Sequence, residues 1–371
     1  MRRRMAAGML AAVLLLAGCK TTEPQPTAGP DKSRVGSEPS ESSDLLLLSI
    51  DMVTSQVGWG IGHGHPGLFR TTDGGLSWKS VTPEAISGES DLDLAALSSD
   101  QAWLVVTNRD PGSADGYAKV VAYRTTDGGT TWERSEFATA FRSLYGSTVS
   151  FLNEREGFVL VEPEHGSHSR PGSLYRTGDA GVNWTLVSAL EAVPYAGRLR
   201  FGDAQTGWVV GHQVSSTPET LAYTRDGGRT WTEQEQPPPP ADLPPGQLSV
   251  QQPPLRLGER LVLPATYWPE SHKADRFRTL LYTSPGPGEP WELLTHLPNT
   301  NTYAFLPSGH GWVWAGAPRD PGTKQPIAGA FQVTQDGGST WTEVGPDAGM
   351  QALLDHGYNV VQLDFTSERT G

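Results

Sequence analysis

The chain has a single cysteine, Cys19, and only short apolar runs. A lone thiol excludes an internal disulfide, so the folded part must be stabilised by packing alone. The sequence also lacks a Gly-x-Ser-x-Gly elbow, a His-Glu-x-x-His pair, a P-loop and a paired-cysteine motif. Serine-nucleophile, zinc-protease and nucleotide chemistry therefore have no support in the sequence.

Basic residues are scarce, with 28 Lys and Arg against 41 Asp and Glu and a net charge of −13. Phosphate-binding surfaces need clustered positive charge. Nucleic acid is therefore not an expected partner.

The N-terminus has the pattern of an export signal. Three arginines (Arg2, Arg3 and Arg4) precede an apolar stretch from Met5 to Leu16 that is too short to span a membrane, and small residues lead up to Cys19. This pattern resembles the bacterial lipoprotein signal, which implies cleavage of residues 1–18 and a lipid on the Cys19 thiol. The alternative is an ordinary signal peptide with an incidental cysteine. A lipoprotein would be held at the outer face of the plasma membrane, or in the outer membrane of a two-membrane cell.

Residues 20–43 contain Thr, Glu, Pro, Gly and Ser with almost no large apolar side chain. Such a composition buries too little surface to order itself. We therefore predict a flexible tether over 19–43 and a folded domain over 44–371.

One short phrase, Asp-Gly-Gly-x-Thr/Ser-Trp or a close variant, returns about every 50 residues, the length of one four-stranded propeller blade. Its Asp and Trp residues are Asp73, Trp78, Asp127, Trp132, Asp179, Trp184, Asp226, Trp231, Asp336 and Trp341. A worn sixth copy has Gly286 in place of Asp and ends at Trp291. The predicted fold is an all-β propeller of four-stranded antiparallel blades, with six recognisable blades and a partial seventh. The predicted blades cover 44–82, 92–135, 147–188, 197–234, 248–294 and 302–344, with the partial blade at 358–371.

The phrase suits a tight turn between the third and fourth strands, because Asp accepts backbone N–H groups and Gly adopts positive φ. The following Trp can then pack between sheets. Residues 44–344 resemble the Asp-box, or BNR, repeats of sialidases and of photosystem II stability/assembly factor-like proteins. The resemblance implies a propeller in which these Asp and Trp residues are structural and peripheral.

Two departures from the repeat predict irregularities. Gly286 and the proline-rich stretch 237–240 mark the fifth blade as the irregular one. The tail 358–371 resembles a first strand and its turn, so it is either part of a seventh blade or a closing strand of a six-bladed ring.

The loops between second and third strands should share one face of the propeller, where binding sites usually lie. Six of the nine histidines fall in these predicted loops. The candidate residues on this face are His63, His65, Arg109, His165, His168, Arg170, His212 and His272. They could bind a metal ion or an anionic ligand. The alternative is that polar loops collect histidine by chance, and no cofactor is otherwise predicted.

The sequence leaves two classes of function open. The first is a non-catalytic platform that binds an extracytoplasmic protein or assists complex assembly, as the resemblance implies. The second is a sialidase-like glycoside hydrolase or a carbohydrate-binding propeller, in which loop aromatics stack on sugars; the aromatic candidates are Tyr117, Tyr145, Tyr195, Tyr267 and Trp268. No catalytic residue is assigned. Arg198 and Arg200 alternate on a predicted first strand and could place one guanidinium in the channel; the alternative, which the sequence favours, is a solvated or paired arginine.

Overall fold

The computed structural model describes residues 32–34, 45–63, 67–84, 86, 90–108, 116–164, 171–212, 219–270, 278–298, 300–315, 330–345 and 362–367. These residues form six antiparallel sheets, and in each sheet four strands pair in chain order; two of the sheets have a short fifth strand. The prediction of an all-β propeller is confirmed, with six four-stranded blades. No helix among the described residues has the length and apolar character needed to cross a membrane.

The strands of the first three blades follow one another along the chain. Blade 1 consists of β2 (Leu47–Met52), β3 (Gly58–Gly62), β4 (Leu68–Thr71) and β5 (Lys79–Ser80). Blade 2 consists of β6 (Ser90–Ala96), β7 (Ala102–Asn108), β8 (Lys119–Thr125) and β9 (Thr131–Ala138). Blade 3 consists of β10 (Leu144–Phe151), β11 (Gly157–Pro163), β12 (Ser173–Thr177) and β13 (Thr185–Ala189).

Blades 4 to 6 continue the pattern. Blade 4 consists of β14 (Ala196–Phe201), β15 (Gly207–Gly211), β16 (Thr220–Thr224) and β17 (Thr232–Gln234). Blade 5 consists of β18 (Gly246–Ser249), β20 (Arg260–Pro269), β21 (Arg278–Ser284) and β22 (Glu292–Pro298), with the short β19 (Leu255–Leu257) paired to β20. Blade 6 consists of β23 (Thr300–Phe305), β24 (Gly311–Ala315), β25 (Ala330–Thr334) and β26 (Thr342–Val344).

The first strand of blade 3 contacts the first strands of blades 2 and 4 beside the central channel. The side chains of the second strands pack between neighbouring blades. In blades 1, 3 and 4 these strands are buried along almost their whole length. An aromatic residue near the start of the second strand anchors most of these layers, as Trp103 and Phe158 do in blades 2 and 3. Full burial of such a side chain contributes about 2–3 kcal/mol, so the core is a series of seams between blades.

The boxed turns between third and fourth strands follow one hydrogen-bonding scheme, shown here for blade 6. The Thr334 hydroxyl donates to Asp336 Oδ1 at 2.8 Å and accepts the Gly338 N–H at 2.9 Å. Asp336 Oδ1 accepts the Thr340 N–H at 2.9 Å, and Oδ2 accepts the Thr340 hydroxyl at 2.7 Å. Both glycines of this turn have positive φ, which explains why glycine recurs there.

Blade 5 is irregular, as its sequence predicts. Ser284 replaces the usual Thr of the boxed turn, and its hydroxyl donates to backbone oxygens of the turn, because Gly286 offers no carboxylate. Pro290, at the position of Thr340, has no N–H to donate. The buried Trp291 Nε1 has no hydrogen-bond partner among the described residues, whereas Trp341 Nε1 donates to Gly338 O at 3.0 Å.

Part of the predicted tether lies on the folded domain. Residues Lys32–Arg34 form β1, which pairs antiparallel with β9 at the outer edge of blade 2. An outermost strand presents unpaired N–H and C=O groups that accept any extended segment. These three residues belong to the segment that the sequence predicts to be a flexible tether.

The C-terminal segment 362–367 lies between blades 6 and 1. The Phe365 ring stacks on Trp312 with centroids 3.7 Å apart, as the Phe201 ring stacks on Phe158 at 3.6 Å. Asp364 Oδ2 accepts the Met52 N–H at 2.5 Å, and the Gln362 side chain bonds the backbone of Ile50. The segment thus takes the position of the first strand of a further blade, next to six complete ones.

Candidate ligand-binding site at the channel

The two ends of the channel differ in the kind of loop that surrounds them. In each regular blade a backbone bond joins the boxed turn to the turn after the first strand, such as Gly128 N to Asp100 O at 3.0 Å and Gly227 N to Gln205 O at 2.8 Å. The boxes and these turns therefore share one end. The loops between second and third strands lie at the other end, which we call the loop end.

Of the predicted loop-face residues, His63 and His212 are described. His63 is exposed after β3 in blade 1, and His212 is half-buried after β15 in blade 4. The remaining candidates lie outside the described residues: His65, Arg109, His165, His168, Arg170 and His272. Within the described ranges, no group of three or more His, Cys, Asp or Glu side chains is arranged to hold a metal ion.

The structure instead gathers polar side chains where blades 2, 3 and 4 meet near the loop end. We call this set the channel-end cluster, and its members are Asp91, Asp93, Thr107, Ser147, Glu162, Arg198 and His212. Nearly all of these residues lie on three strand pairs: β6 and β7, β10 and β11, and β14 and β15. Side chains alternate between the two faces of a strand, and this alternation decides which seam each residue faces.

Blade 2 contributes two carboxyl groups and a hydroxyl. Asp91 and Asp93 alternate along β6, and Thr107 pairs with Asp91 across β7. Asp93 Oδ2 accepts the backbone N–H of Val149, on the first strand of blade 3, at 2.6 Å. This bond fixes the Asp93 carboxyl across the seam between blades 2 and 3.

Blade 3 contributes Ser147 and Glu162. Glu162 pairs with Gly146 across β10 and β11. It lies on the same side of β11 as Phe158 and Leu160, which pack against blade 4. Glu162 therefore belongs to the seam between blades 3 and 4.

Gly146 brings the two seams together. A Cβ at this position would lie 2.7 Å from Asp91 Oδ2, closer than non-bonded atoms approach, so the carboxyl of Asp91 rests directly on the glycine backbone. Because Gly146 is also the strand partner of Glu162, no side chain at this position separates Asp91 from Glu162.

Gly197 plays the same part in blade 4. A Cβ on Gly197 would overlap the His212 ring and would lie 2.8 Å from Glu162 Oε1, so the imidazole and the carboxyl lie side by side over this glycine. The His212 backbone N–H donates to Tyr195 O at 2.9 Å. Tyr195 has φ of 53°, a left-handed conformation that is costly for a tyrosine and is concentrated at functional sites.

Three polar atoms of the cluster are buried without a hydrogen-bond partner among the described residues: Thr107 Oγ1, Ser147 Oγ and Glu162 Oε2. The three side chains are 1%, 8% and 6% exposed, respectively. An unpaired buried polar group costs about 1–3 kcal/mol, so folded proteins pair nearly all of them. These three atoms therefore leave hydrogen-bonding capacity unused in one part of the ring.

Burial raises the pKa of Glu162 to about 8; the Asp91 charge adds to this rise, and the Arg198 charge opposes it. Burial also raises the pKa of Asp93 to about 7, against the Val149 N–H bond and the Arg198 charge, which lower it. At neutral pH the Glu162 carboxyl therefore holds its proton, and the Asp93 carboxyl is close to half-protonated.

Deeper in the channel, Arg200 and Tyr303 line a cavity of about 390 Å³ between the first strands of blades 4 and 6 and the segment 362–363. Channel solvent reaches the Arg200 guanidinium, yet the surrounding blades enclose it, and this enclosure lowers its pKa. Burial raises the pKa of Tyr303 to about 12 despite the nearby Arg200. Arg200 is one of the two alternating arginines of the first strand of blade 4, and its side chain lines this cavity.

The boxed carboxylates serve their own turns. Hydrogen bonds from Ser77 and Thr71 lower the pKa of Asp73 to about 2, and bonds from the Thr340 and Thr334 side chains and nearby backbone lower that of Asp336 to about 2. All five boxed aspartates accept the hydroxyl of the preceding Thr at 2.8 or 2.9 Å. Their acceptor capacity is used inside the turn.

Sequence reasoning missed most of the channel-end cluster. It noted Arg198 and His212 but not Asp91, Asp93 or Glu162. A signal was present, since Gly146 and Gly197 stand inside strand patterns, where glycine marks a close approach of another group. Among the proposed sugar-stacking aromatics, Tyr267 is 1% exposed and belongs to the core, whereas Tyr145 and Trp268 are exposed.

No known protein family matches the sequence, and no curated protein matches it. Solved structures do share its fold. A structure of YCF48 bound to D1 peptide is 17% identical, with a TM-score of 0.50 over 85% of this chain and 84% of that one. YCF48 from Cyanidioschyzon merolae is 14% identical, with a TM-score of 0.51 over 84% of this chain and 88% of that one.

An enzyme also shares the fold. The GH74 enzyme of Niastella koreensis is 15% identical, with a TM-score of 0.51 over 84% of this chain. This chain spans only 46% of that enzyme. At these sequence identities the similarity shows a shared fold and does not show a shared function.

Proposed function

We propose that the protein is a non-catalytic binding propeller that takes an extended segment of an extracytoplasmic protein at the loop end of its channel. The observation that carries the proposal is the set of buried, unpartnered acceptors in the channel-end cluster, Thr107 Oγ1, Ser147 Oγ and Glu162 Oε2. A bound segment would supply the missing hydrogen bonds. Binding of a D1 peptide by YCF48, a propeller of similar fold, is consistent with this kind of partner.

We further propose that the propeller works outside the cytoplasm on a lipid anchor at Cys19. The basic start, short apolar stretch and small residues before Cys19 support this location. A tethered propeller would meet partners in or near the membrane, where a single-site binder gains from local concentration.

Site-directed photo-crosslinking in native membranes tests the binding role. A photoreactive phenylalanine analogue replaces Tyr145, which is 54% exposed at the start of β10 at the loop end. The matched control carries the same analogue at Leu76, which is 84% exposed in the boxed turn of blade 1 at the opposite end. We expect one defined protein adduct from position 145 and none from position 76. Equal labelling from both positions, or no adduct from position 145, would contradict the proposal.

A glycan is the second candidate ligand, and hydrolysis is its strongest form. One observation favours it: Asp93 and Glu162 have pKa values of about 7 and 8, so each carboxyl can hold a proton near neutral pH, as a general acid must. Release of reducing sugar from a polysaccharide panel, lost in Asp93→Asn, would support hydrolysis. Absence of release from every member would remove it.

A further inference from the structure

The cavity around Arg200 lies in the half of the channel nearer the boxed turns. Arg200 is the last residue but one of β14, and the turn that follows β14 is joined to the boxed turn of blade 4 by the bond from Gly227 N to Gln205 O at 2.8 Å. The channel-end cluster gathers instead at the loop end, where His212 follows β15. The cavity is therefore separate from the site of the proposed function.

Arg200 has no counter-charge in the part of the chain that the structure describes. It is the one charged residue among the described residues that line the cavity of about 390 Å³. Within the described ranges, no carboxylate lies within ion-pair distance of its guanidinium. Tyr303, on the first strand of blade 6, is near enough for the two groups to affect each other electrostatically. Burial keeps the pKa of Tyr303 at about 12, so the phenol is neutral at pH 7 and can donate a hydrogen bond.

A carboxylate is the anion that matches this guanidinium. The N–H donors of an arginine lie in a planar fork that binds two carboxylate oxygens at once. A phosphate dianion would bring two negative charges to a cavity in which Arg200 supplies one positive charge. The second charge would stay unpaired where the blades restrict solvent, which is unfavourable. The charge of the cavity therefore favours a monoanion.

The rest of the lining suits hydroxyl groups on the body of the ligand. Gln251 and Gln252, which follow the first strand of blade 5, line the cavity together with Thr266 and Thr302. Amide and hydroxyl side chains offer both donors and acceptors, so they can pair with hydroxyl groups in either direction. A volume of about 390 Å³ lies in the range of small-molecule pockets.

We infer that this cavity binds a small hydroxylated carboxylate, a hydroxy acid of about the size of one sugar, with its carboxylate on the Arg200 guanidinium and its hydroxyl groups against the glutamine and threonine side chains. This inference goes beyond the proposed function, which concerns a protein segment at the loop end. The ligand is bound and not transformed, since the lining supplies donors and acceptors for recognition.

Calorimetry on the full chain tests the inference with three probes: D-glucuronate, its neutral analogue D-glucuronamide, and hexanoate. The amide differs from the acid by one atom and by the charge. We expect glucuronate to bind saturably and glucuronamide to bind at least about tenfold more weakly, because a charged hydrogen bond is lost. Hexanoate keeps the charge but has no hydroxyl groups, so it should bind more weakly than glucuronate and leave the polar lining unpaired.

Arg200→Gln removes the guanidinium, and Arg256→Gln is its matched control. Arg256 lies on β19 beside the cavity-lining Leu255, but strand alternation places its side chain on the other face, where it is exposed. We expect Arg200→Gln to lose at least about tenfold in affinity for glucuronate and Arg256→Gln to match the wild type. Arg200→Lys keeps the charge without the planar fork, so its affinity should fall between the two.

The Arg200 variants should fold, because channel solvent reaches this side chain and no described ion pair is lost. Circular dichroism checks the fold of each variant. A measurement on the wild type keeps the test open if a variant does not fold: glucuronate should shift the NMR signal of the Arg200 Nε–H group, and glucuronamide should shift it much less.

Equal binding of glucuronate and glucuronamide, equal losses from Arg200→Gln and Arg256→Gln, or no saturable binding of millimolar glucuronate would overturn the carboxylate site. Hexanoate bound as tightly as glucuronate would overturn the hydroxylated class of ligand. None of these results depends on a crosslink from position 145. The inference and the proposed function can therefore fail independently.

Discussion

The ring of Phe365 lies flat on that of Trp312, with centroids 3.7 Å apart and planes at 1°. The same stack joins Phe151 to Trp103 at 3.9 Å between blades 2 and 3. A residue near the end of the chain thus repeats a contact that elsewhere forms between complete blades. The seam between blades 6 and 1 is therefore stabilised by the segment 362–367.

Phe365→Ala should destabilise the propeller by about 1–3 kcal/mol, because a half-buried ring and its stacked contact are lost. Urea unfolding followed by tryptophan fluorescence measures the change. Leu76→Ala, at an 84% exposed position, is the control and should have almost no effect. Equal stability of the two variants would show that the segment contributes nothing to closure.

Two substitutions together should be needed to restore the hydrogen bonds of the boxed turn in blade 5. Gly286→Asp restores the carboxylate, but Pro290 still lacks the N–H that Asp336 receives from Thr340. We expect little gain from Gly286→Asp or Pro290→Thr alone and a gain of about 1 kcal/mol from both together. Thermal unfolding of the four proteins gives the coupling energy. Additive effects of the single changes would contradict this account.

Asp51 should make stability depend on pH between about 4 and 6. Burial, with the nearby Asp364, raises the pKa of Asp51 from 3.8 to about 6. The folded state then holds a proton that the unfolded state has released, so this contribution is complete below pH 4 and is lost as pH rises through about 6. Asp51→Asn should reduce this slope, leaving the part that comes from the raised pKa values of Asp93 and Glu162, and should stabilise the protein at pH 7 by about 1–3 kcal/mol. Urea unfolding from pH 4 to 8 measures it.

Asp100→Asn is the matched control for Asp51, because the Asp100 side chain is 68% exposed and pairs only loosely with Arg70 at 3.6 Å. Its unfolding profile should follow the wild type. If Asp51→Asn kept the wild-type slope, the origin of the pH dependence would lie elsewhere.

The titration of Glu162 should respond in opposite directions to its two charged neighbours. Arg198→Gln removes a charge that lowers the pKa of Glu162, so that pKa should rise above about 8. Asp91→Asn removes a charge that raises it, so the pKa should fall. Carboxyl carbon NMR shifts of labelled glutamate measure both. Shifts of the same sign in the two variants would disprove the proposed geometry.

The fold could be predicted from the sequence because the contacts that define the repeated turn are local. A boxed turn is a contact among residues at most a few positions apart, such as Thr334, Asp336 and Thr340, so its spacing alone predicts strand pairs and blades. The irregularity of blade 5 could be predicted for the same reason, because Gly286 stands where the repeat has Asp.

The channel-end cluster is non-local, and this is why sequence reasoning passed over it. Asp91, Glu162 and His212 come from three blades and meet only when the ring closes over Gly146 and Gly197. The histidine pattern included His212, which lies beside Glu162 at the loop end. It did not point to the carboxyl groups, since alternating Asp and Leu in β6 also suits an ordinary strand.

The absent side chain of Gly146 has an effect beyond its own position. It gives Asp91 and Glu162 a shared electrostatic environment, although one belongs to the seam of blades 2 and 3 and the other to the seam of blades 3 and 4. Arg198 extends that environment into blade 4. Blades 2 to 4 therefore form a sector of the ring in which a charge gained or lost on one blade changes the protonation of its neighbours.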